Sequence, residues 1–295
     1  MGMGRWDDSS RVAYKSLADT ATKARSATEY FTNRDVHKAL NPRGVTIRES
    51  CDSEQNPNSN AIIVGLDVTG SMGMIAHTMA KEGLGTLIES ILDRKPVEDP
   101  HIMFMAIGDV HYDSAPLQVS QFEPDIRIAQ QLKDIYVEGG GGENNSESYD
   151  LPWYFAAAHT TIDCFEKRGK KGYLFTIGDE LPPTGGVKDQ LQRLLKDGAE
   201  RDYDSQELLK MAEEKYHVFH VIVEQGSYAQ RSVERVTNAW RELLGKRAIG
   251  LNNYNYVAQV VVSAIEVSEG ADPEDVLASW QDAAVRKAVK HALFD

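Results

Sequence analysis

Short, unbroken runs of apolar residues recur along this chain, separated by segments whose apolar positions lie three or four residues apart. Runs of this length without polar alternation are typical of strands buried on both faces of a sheet, and the intervening spacing is typical of helices. The predicted strands are AIIVGLD (61–67), HIMFMAIG (101–108), PLQVSQF (116–122), GYLFTIGDE (172–180), HVFHVIVE (217–224) and KRAIGL (246–251). Because strands alternate with helices, the pattern predicts a doubly wound α/β fold with a mostly parallel, Rossmann-like sheet flanked by helices.

The same pattern divides the chain into three parts. They are an N-terminal helical extension with a linker (1–58), an α/β domain (59–268) and a C-terminal helix (269–295). In the first part we predict a helix over 10–31, a short strand near Val45 and a polar linker over 51–60. Further helices are predicted over about 75–92, 126–134, 153–165, 187–197, 205–215, 229–244, 256–267 and 273–294.

Acidic residues outnumber basic ones, 45 against 32, and give the 295-residue chain a formal net charge of −13. This balance argues against nucleic-acid binding, because neutralising phosphates requires a basic surface. No apolar window approaches the ~18 residues of a membrane span, and the N-terminus lacks the apolar segment of a secretory signal. The two cysteines, Cys51 and Cys164, are too few for a disulfide framework. We therefore expect a cytoplasmic protein that binds neither nucleic acid nor membrane.

Oxygen-bearing side chains follow two of the predicted strands where each strand ends. The loop DVTGSMG (67–73) places Asp67, Thr69 and Ser71 at alternate positions between glycines, so that three oxygens can face one point. Asp179 ends another strand and lies at the same edge if the two strands are neighbours. Each residue alone also fits a turn or cap role. Together, these oxygens are ligands that suit Mg²⁺, Mn²⁺ or Ca²⁺, and the sequence predicts a divalent-cation site.

This loop resembles the metal-ion-dependent adhesion site of von Willebrand factor type A (VWA) domains, whose pattern is Asp-x-Ser/Thr-x-Ser. The resemblance covers 59–268, where a third-ligand loop and a strand ending in Gly-Asp follow in the same order. It implies a VWA fold of the free-standing intracellular kind. It also implies that Thr69 and Ser71 bind Mg²⁺ directly, while Asp67 and Asp179 act through water.

The third ligand of such a site lies in a loop that here reads GGGGENNSESYD (139–150). Counting back from the following helix places Glu147 at the equivalent position, and Glu143 and Asn144 are alternatives. Because hydroxyl ligands are neutral, the cation stays electrophilic and an open coordination position can accept an Asp or Glu of a partner protein. The resemblance thus implies an adaptor or scaffold module without enzymatic activity, beside a MoxR-type AAA+ ATPase.

Two enzymatic interpretations compete with this one. The loop is similar to the DKTGT motif of haloacid-dehalogenase phosphatases and P-type ATPases, which would make Asp67 the nucleophile of a Mg²⁺-dependent aspartyl-phosphate enzyme. Ser71, Asp179 and His220 also follow in the chain order of one class of serine hydrolase. A helix soon after the motif, and Thr-x-Ser-x-Gly in place of Gly-x-Ser-x-Gly, favour the binding module.

Two other patterns concern residues near this edge or in the core. Asp109, His111 and Asp113 follow the second predicted strand, where we expect turn and cap roles and, for Asp109, a place on the rim of the site. The methionines within 72–79 and 103–105 are expected to fill the core.

Overall fold

The computed structural model describes residues 33, 35–125, 127–137, 147–185, 188–196, 199 and 201–295. In this part of the chain, eight strands form two sheets. The strands are β1 (Arg48–Ser50), β2 (Asn60–Asp67), β3 (Pro100–Ile107), β4 (Leu117–Val119), β5 (Thr160–Ile162), β6 (Gly172–Gly178), β7 (Tyr216–Val223) and β8 (Ala248–Leu251). β1 and β5 pair in parallel, and the other six form the main sheet. The helix predicted over 10–31 lies outside the described residues.

Helices connect the strands of the main sheet. They are α1 (Met74–Thr78), α2 (Leu84–Arg94), α3 (Arg127–Lys133), α4 (Asp150–Ala158), α5 (Asp163–Arg168), α6 (Lys188–Leu195), α7 (Ser205–Lys215), α8 (Val233–Leu244), α9 (Val257–Ser268), α10 (Pro273–Ser279) and α11 (Ala283–Phe294). A π-helical turn, Met79–Gly83, joins α1 directly to α2. None of the helices described here combines the length and the apolar character that crossing a bilayer requires.

The central strand β2 is covered on both faces, and all of its residues are buried. Successive side chains of a strand point to opposite faces. Ile62, Val64 and Leu66 therefore share one core with residues of α2, α9 and α11. Ala61 and Ile63 lie in the opposite core with residues of α4, α7 and α8. This packing confirms the predicted α/β fold, with a mostly parallel sheet flanked by helices.

The main sheet has the spatial order β4-β3-β2-β6-β7-β8, and β4 is its one antiparallel strand. The chain winds outward from β2 to β4 and then returns to the other side of β2 with β6. In open α/β sheets, ligands bind beyond the carboxyl ends of the strands where the winding reverses, which here is between β2 and β6. Leu66 pairs with Ile177, so the loops that follow these two strands emerge side by side.

Two of the predicted helices are interrupted. The segment predicted as a helix over 153–165 contains β5, because the β-branched residues that follow α4 adopt a strand and pair with β1. The expected C-terminal helix consists of α10 and α11. Asp282 begins the second of these as an N-cap, since its side chain accepts hydrogen bonds from the backbone N–H groups of Ala284 and Val285.

The polar segment between β1 and β2 is tied to α5 through Asp52. The carboxylate of Asp52 accepts hydrogen bonds from the hydroxyl of Ser59 and from the guanidinium of Arg168, each at 2.7 Å. Burial is the largest single effect and would raise the pKa of Asp52, but the hydrogen bonds from Arg168, Ser59 and Lys167 and the charge of Arg168 together outweigh burial and hold this pKa at about 2. The segment predicted as a linker is thus fixed to the domain that follows it.

The Asp52→Asn variant is expected to lower the free energy of unfolding by up to about 2 kcal/mol at pH 6. Because the folded pKa lies below the value of an unfolded aspartate, this stabilisation is present above pH ~4 and is lost as the pH falls toward ~2. Urea denaturation of both proteins at pH 6 and pH 3 measures the difference, which should shrink at the lower pH. Asp275→Asn, at an exposed position, is the control; a pH-independent difference for Asp52→Asn would contradict the assignment.

Candidate functional site

The loop after β2 folds around the side chain of Asp67, which is fully buried. Oδ1 of Asp67 accepts hydrogen bonds from the backbone N–H of Thr69 at 2.9 Å and from the hydroxyl of Thr69 at 2.6 Å. An aspartate that bonds the backbone two residues ahead forms its own local turn. Oδ2 of Asp67 accepts a hydrogen bond from the hydroxyl of Tyr149 at 2.7 Å. Both oxygens of Asp67 are therefore held in one orientation.

Two hydroxyl groups connect Asp67 to a second carboxyl group, which follows the neighbouring strand β6. The hydroxyl oxygens of Thr69 and Ser71 lie 3.3 Å apart, and that of Ser71 donates to Oδ1 of Asp179 at 2.7 Å. Oδ2 of Asp179 accepts a hydrogen bond from the backbone N–H of Tyr228 at 2.9 Å. The structure thus brings four of the five predicted site residues into one connected chain of polar contacts.

The fifth predicted residue, Glu147, lies near the same carboxyl groups. Its side chain is 2% exposed, and its Oε2 atom is buried without a hydrogen-bond partner. Burial, followed by repulsion from Asp67 and Glu180, raises the pKa of Glu147 to about 10. Glu147 is therefore close enough to Asp67 for the charge of Asp67 to raise its pKa. The two alternatives for the third ligand, Glu143 and Asn144, lie outside the described residues.

Five buried carboxyl groups form what we call the acidic cluster: Asp67, Asp109, Glu147, Asp179 and Glu180. Burial and repulsion from Asp179 raise the pKa of Asp67 to about 7. Burial and repulsion from Asp67 and Asp179 raise the pKa of Glu180 to about 8. One oxygen each of Asp109, Glu147 and Glu180 is buried without a hydrogen-bond partner. Buried carboxylates that repel one another, three of them with an oxygen that lacks a donor, provide an environment that a bound cation neutralises.

Carboxyl groups alone do not account for a metal site in this geometry. Across the described ranges of the chain, no three side chains of the His, Cys, Asp or Glu types are placed to hold a single ion. A cation at this position would therefore need the hydroxyl oxygens of Thr69 and Ser71, which connect Asp67 to Asp179. A mixed set of hydroxyl, carboxylate and water oxygens is typical for Mg²⁺ and Ca²⁺.

The loop after β7 also contributes to this edge of the site. The sequence motif gave no indication of this contribution. The backbone N–H and the hydroxyl of Ser227 both donate to the carbonyl of Ser71, at 3.0 and 2.9 Å. Gly226 packs directly on the side chain of Asp179, where a Cβ atom would collide with it. A glycine just beyond the carboxyl end of an apolar strand is the one signal that could have indicated this close approach.

Aromatic rings pack beneath the site. The ring of Tyr149 contacts His220 edge-on with 4.9 Å between ring centroids, and His220 stacks on Trp240 at 3.5 Å. Nδ1 of His220 lies 2.8 Å from the hydroxyl of Thr176, and burial lowers the pKa of His220 well below its usual value. Because His220 pairs with Thr176, and Ser71 with Asp179, the two residues are not paired as a serine hydrolase requires.

A cation at this site would depend on Tyr149 through Asp67, so Tyr149→Phe is expected to weaken Mg²⁺ binding by about 10- to 100-fold, the range typical of residues that orient metal ligands. The variant keeps the aromatic packing but removes the hydrogen bond to Asp67. Isothermal titration calorimetry measures the affinity. The matched control is Tyr216→Phe, which removes a buried hydroxyl bonded to Thr160 at the opposite end of the sheet. Equal Mg²⁺ affinities of the two variants would contradict this role.

The loop after β3 combines a turn with one member of the acidic cluster. Oδ1 of Asp109 accepts a hydrogen bond from the backbone N–H of His111 at 2.7 Å, and Asp113 accepts one from the backbone N–H of Asp109 at 2.8 Å. These contacts confirm the predicted turn roles. The remaining oxygen of Asp109 is one of the buried atoms without a partner, so Asp109 also belongs to the site.

No family model matches the sequence, and no match is found among curated proteins. Among solved structures, the chain is similar to the pilus adhesin SpaC of Lactobacillus rhamnosus GG in two crystal structures. One has a TM-score of 0.46 at 11% identity, and the other, of the open conformation, has a TM-score of 0.43 at 12% identity. In both cases the similarity covers 76% of this chain and 31% of the adhesin, so the chain spans about a third of the adhesin's length.

Proposed function

We propose that this chain is a VWA-type module that holds a divalent cation in the loop after β2, and that the cation captures an Asp or Glu side chain of a partner protein. The supporting observation is the connected chain of Asp67, Thr69, Ser71 and Asp179. These residues come from two strands that flank the point where the winding of the sheet reverses. Their order along the sequence is also that of the adhesion-site motif.

Each side chain has a definite role in this proposal. The hydroxyls of Thr69 and Ser71 are the direct ligands, and the carboxyl groups of Asp67 and Asp179 act through water. Glu147 is the third-loop ligand. When bound, Mg²⁺, Mn²⁺ or Ca²⁺ supplies a Lewis acid with an open position toward solvent. Tyr149 and the backbone N–H of Tyr228 orient the two aspartates by hydrogen bonds.

The charges and unpaired oxygens of these residues suit a site that contains a cation better than a site that lacks one. The charges that act most strongly on Glu147 and Glu180 all come from other carboxylates. Ionised groups packed in this way repel one another unless a cation or bound protons compensate them. The buried oxygens of Asp109, Glu147 and Glu180 without partners provide acceptors for waters of the cation's hydration shell.

Binding is better supported than the phosphatase alternative with Asp67 as nucleophile. Asp67 has no exposed surface, and both of its oxygens already accept hydrogen bonds. An adaptor role in the cytoplasm, next to a MoxR-type AAA+ ATPase, remains part of the proposal through the resemblance to intracellular VWA proteins.

Metal-dependent capture of a carboxylate tests the proposal directly. Immobilised full-length protein is incubated with a mixture of peptides that carry one central glutamate between randomised positions, in Mg²⁺ or in EDTA. We expect retention of peptides in Mg²⁺ only. A second mixture with central glutamine is the control and should not be retained. Retention that is equal in Mg²⁺ and EDTA, or equal for glutamate and glutamine, would contradict the proposed function.

A further inference from the structure

Two large apolar side chains are exposed just after the loops of the candidate cation site, one at the start of α1 and one in the turn that follows β3. Met74 is 69% exposed and Tyr112 is 60% exposed; we call this pair the apolar rim. Met74 follows Ser71 by three positions, and Tyr112 follows Asp109 by three. Since β2 pairs with β3 along its whole length, the segments that follow these strands and carry the two residues begin next to each other. The expectation that the methionines within 72–79 fill the core is therefore wrong for Met74.

Local geometry explains why these two side chains face solvent. Gly73 precedes α1 with a φ of +49° and donates its N–H to the carbonyl of Thr69, so the chain turns just before Met74. In the other loop, the carbonyl of Asp109 accepts hydrogen bonds from the N–H groups of Tyr112 and Asp113. Asp109 is buried while Tyr112 is exposed. Both turns belong to segments that also carry residues of the site, and both leave most of the rim exposed.

Exposed apolar side chains beside a polar site are typical of a surface that binds another protein. Elsewhere in the described part of the chain, the large apolar side chains that are exposed are Ile47, at 41%, and Phe294, at 43%. Ile47 adjoins β1 and Phe294 ends α11, so neither lies on the loops of the site. The two most exposed members of this group are thus the two next to the proposed cation.

The carboxyl groups of the site further restrict which segments of a partner protein can bind. The acidic cluster lies beneath the rim and supplies five carboxyl groups, three of which have a buried oxygen without a hydrogen-bond donor. One carboxylate of the ligand gains by contacting the cation directly, whereas further acidic side chains next to it meet repulsion. Apolar side chains next to that carboxylate in the ligand can instead pack on Met74 and Tyr112. The surface therefore discriminates against acidic runs.

On this basis, and resting on the proposed function, we infer that the site binds a short segment of a partner protein in which a single Asp or Glu is flanked by bulky apolar residues. The acidic side chain reaches the cation, and its neighbours pack on Met74 and Tyr112. The preference for apolar flanks is a property of the rim and not of the cation.

Three fluorescein-labelled peptides of equal length test the inference by fluorescence anisotropy with full-length protein in Mg²⁺ and in EDTA. Their cores are Leu-Glu-Leu, Ser-Glu-Ser and Glu-Glu-Glu. We expect Leu-Glu-Leu to bind at least about tenfold more tightly than the other two in Mg²⁺, as apolar burial of this size implies. The variant Met74→Ser/Tyr112→Ser should lose this preference while Mg²⁺ affinity is unchanged. Ile47→Ser/Phe294→Ser is the matched control and should retain the preference.

The outcomes separate this inference from the proposed function. If the Leu-Glu-Leu and Ser-Glu-Ser peptides bind equally in Mg²⁺, or if Glu-Glu-Glu binds most tightly, the inference is wrong and the proposed function stands. It is also wrong if the rim variant retains the preference, or if the control variant loses it. Absence of Mg²⁺-dependent binding for all three peptides overturns both.

Discussion

Replacing Asp67 and Ser71 together by alanine is expected to weaken Mg²⁺ binding by more than about 100-fold, because the change removes one direct ligand and one carboxylate, each group worth at least tenfold. Ser71 also loses its hydrogen bond to Asp179, so the connection between the two strands at the site is broken. Isothermal titration calorimetry with MgCl₂ and MnCl₂ measures the change. The proposed site predicts a similar loss for both cations.

The double variant should still fold, which makes the result interpretable. Without Asp67, the N–H and the hydroxyl of Thr69 and the hydroxyl of Tyr149 lose their acceptor, at a cost of about 1–3 kcal/mol for each group left unsatisfied. This loss is offset in part, since one of five repelling carboxyl groups is gone. Circular dichroism and cooperative unfolding in EDTA check the fold.

Ser268→Ala/Asp275→Ala provides a matched control for the double variant. Both positions are exposed and lie on α9 and α10, away from the loops at the carboxyl ends of the strands. This control should bind Mg²⁺ like the unmodified protein. If Asp67→Ala/Ser71→Ala also binds Mg²⁺ with unchanged affinity, the cation does not sit in the loop after β2.

Local sequence was sufficient to locate the two carboxyl groups at the edge of the sheet. β2 and β6 are buried along their whole length, so their apolar runs are unbroken, and Asp67 and Asp179 stand where each run ends. The pairing of β2 with β6 is a long-range contact. Alternation of strands and helices limits the possible strand orders but does not select one. Only the structure therefore shows that the two aspartates lie at the same edge of the sheet.

Other features of the site left no local signal. Tyr149 donates to Asp67 across 82 positions of sequence, and within its own segment it is one of several apolar or aromatic residues at helical spacing. Ser227 contacts Ser71 only because the loop after β7 returns over the site. The interruption of the helix before Cys164 was also hidden, since β5 depends on a partner strand, β1, that lies far away in the sequence.

Mg²⁺ is expected to stabilise the protein against heat, and by more at pH 8 than at pH 6. Burial and repulsion between carboxyl groups raise the pKa of Asp67 to about 7 and that of Glu180 to about 8. In the unfolded chain these groups titrate near pH 4. Between pH ~4 and ~8 the folded state therefore holds more protons on Asp67 and Glu180 than the unfolded state does, so without metal these two groups make the free energy of unfolding fall as the pH rises. The buried His220, whose pKa is lowered, acts in the opposite direction near pH ~6.5.

A bound cation replaces these protons and reverses the loss. Mg²⁺ at a hundred times its dissociation constant adds about 2.7 kcal/mol, which corresponds to a rise of roughly 4–5 °C in melting temperature for a chain of 295 residues. Differential scanning calorimetry at pH 6, 7 and 8, in MgCl₂ or in EDTA with NaCl at equal ionic strength, separates cation binding from charge screening.

The double variant Asp67→Ala/Ser71→Ala gives this measurement its control. It lacks the proposed ligand, so Mg²⁺ should not change its melting temperature at any of the three pH values. It also lacks one member of the acidic cluster, and in EDTA its stability should fall less steeply with pH than that of the unmodified protein. If, in EDTA, the melting temperatures of the two proteins change with pH in the same way, the carboxyl groups of the cluster do not repel one another as proposed, because removing Asp67 would otherwise make the fall in stability with pH less steep.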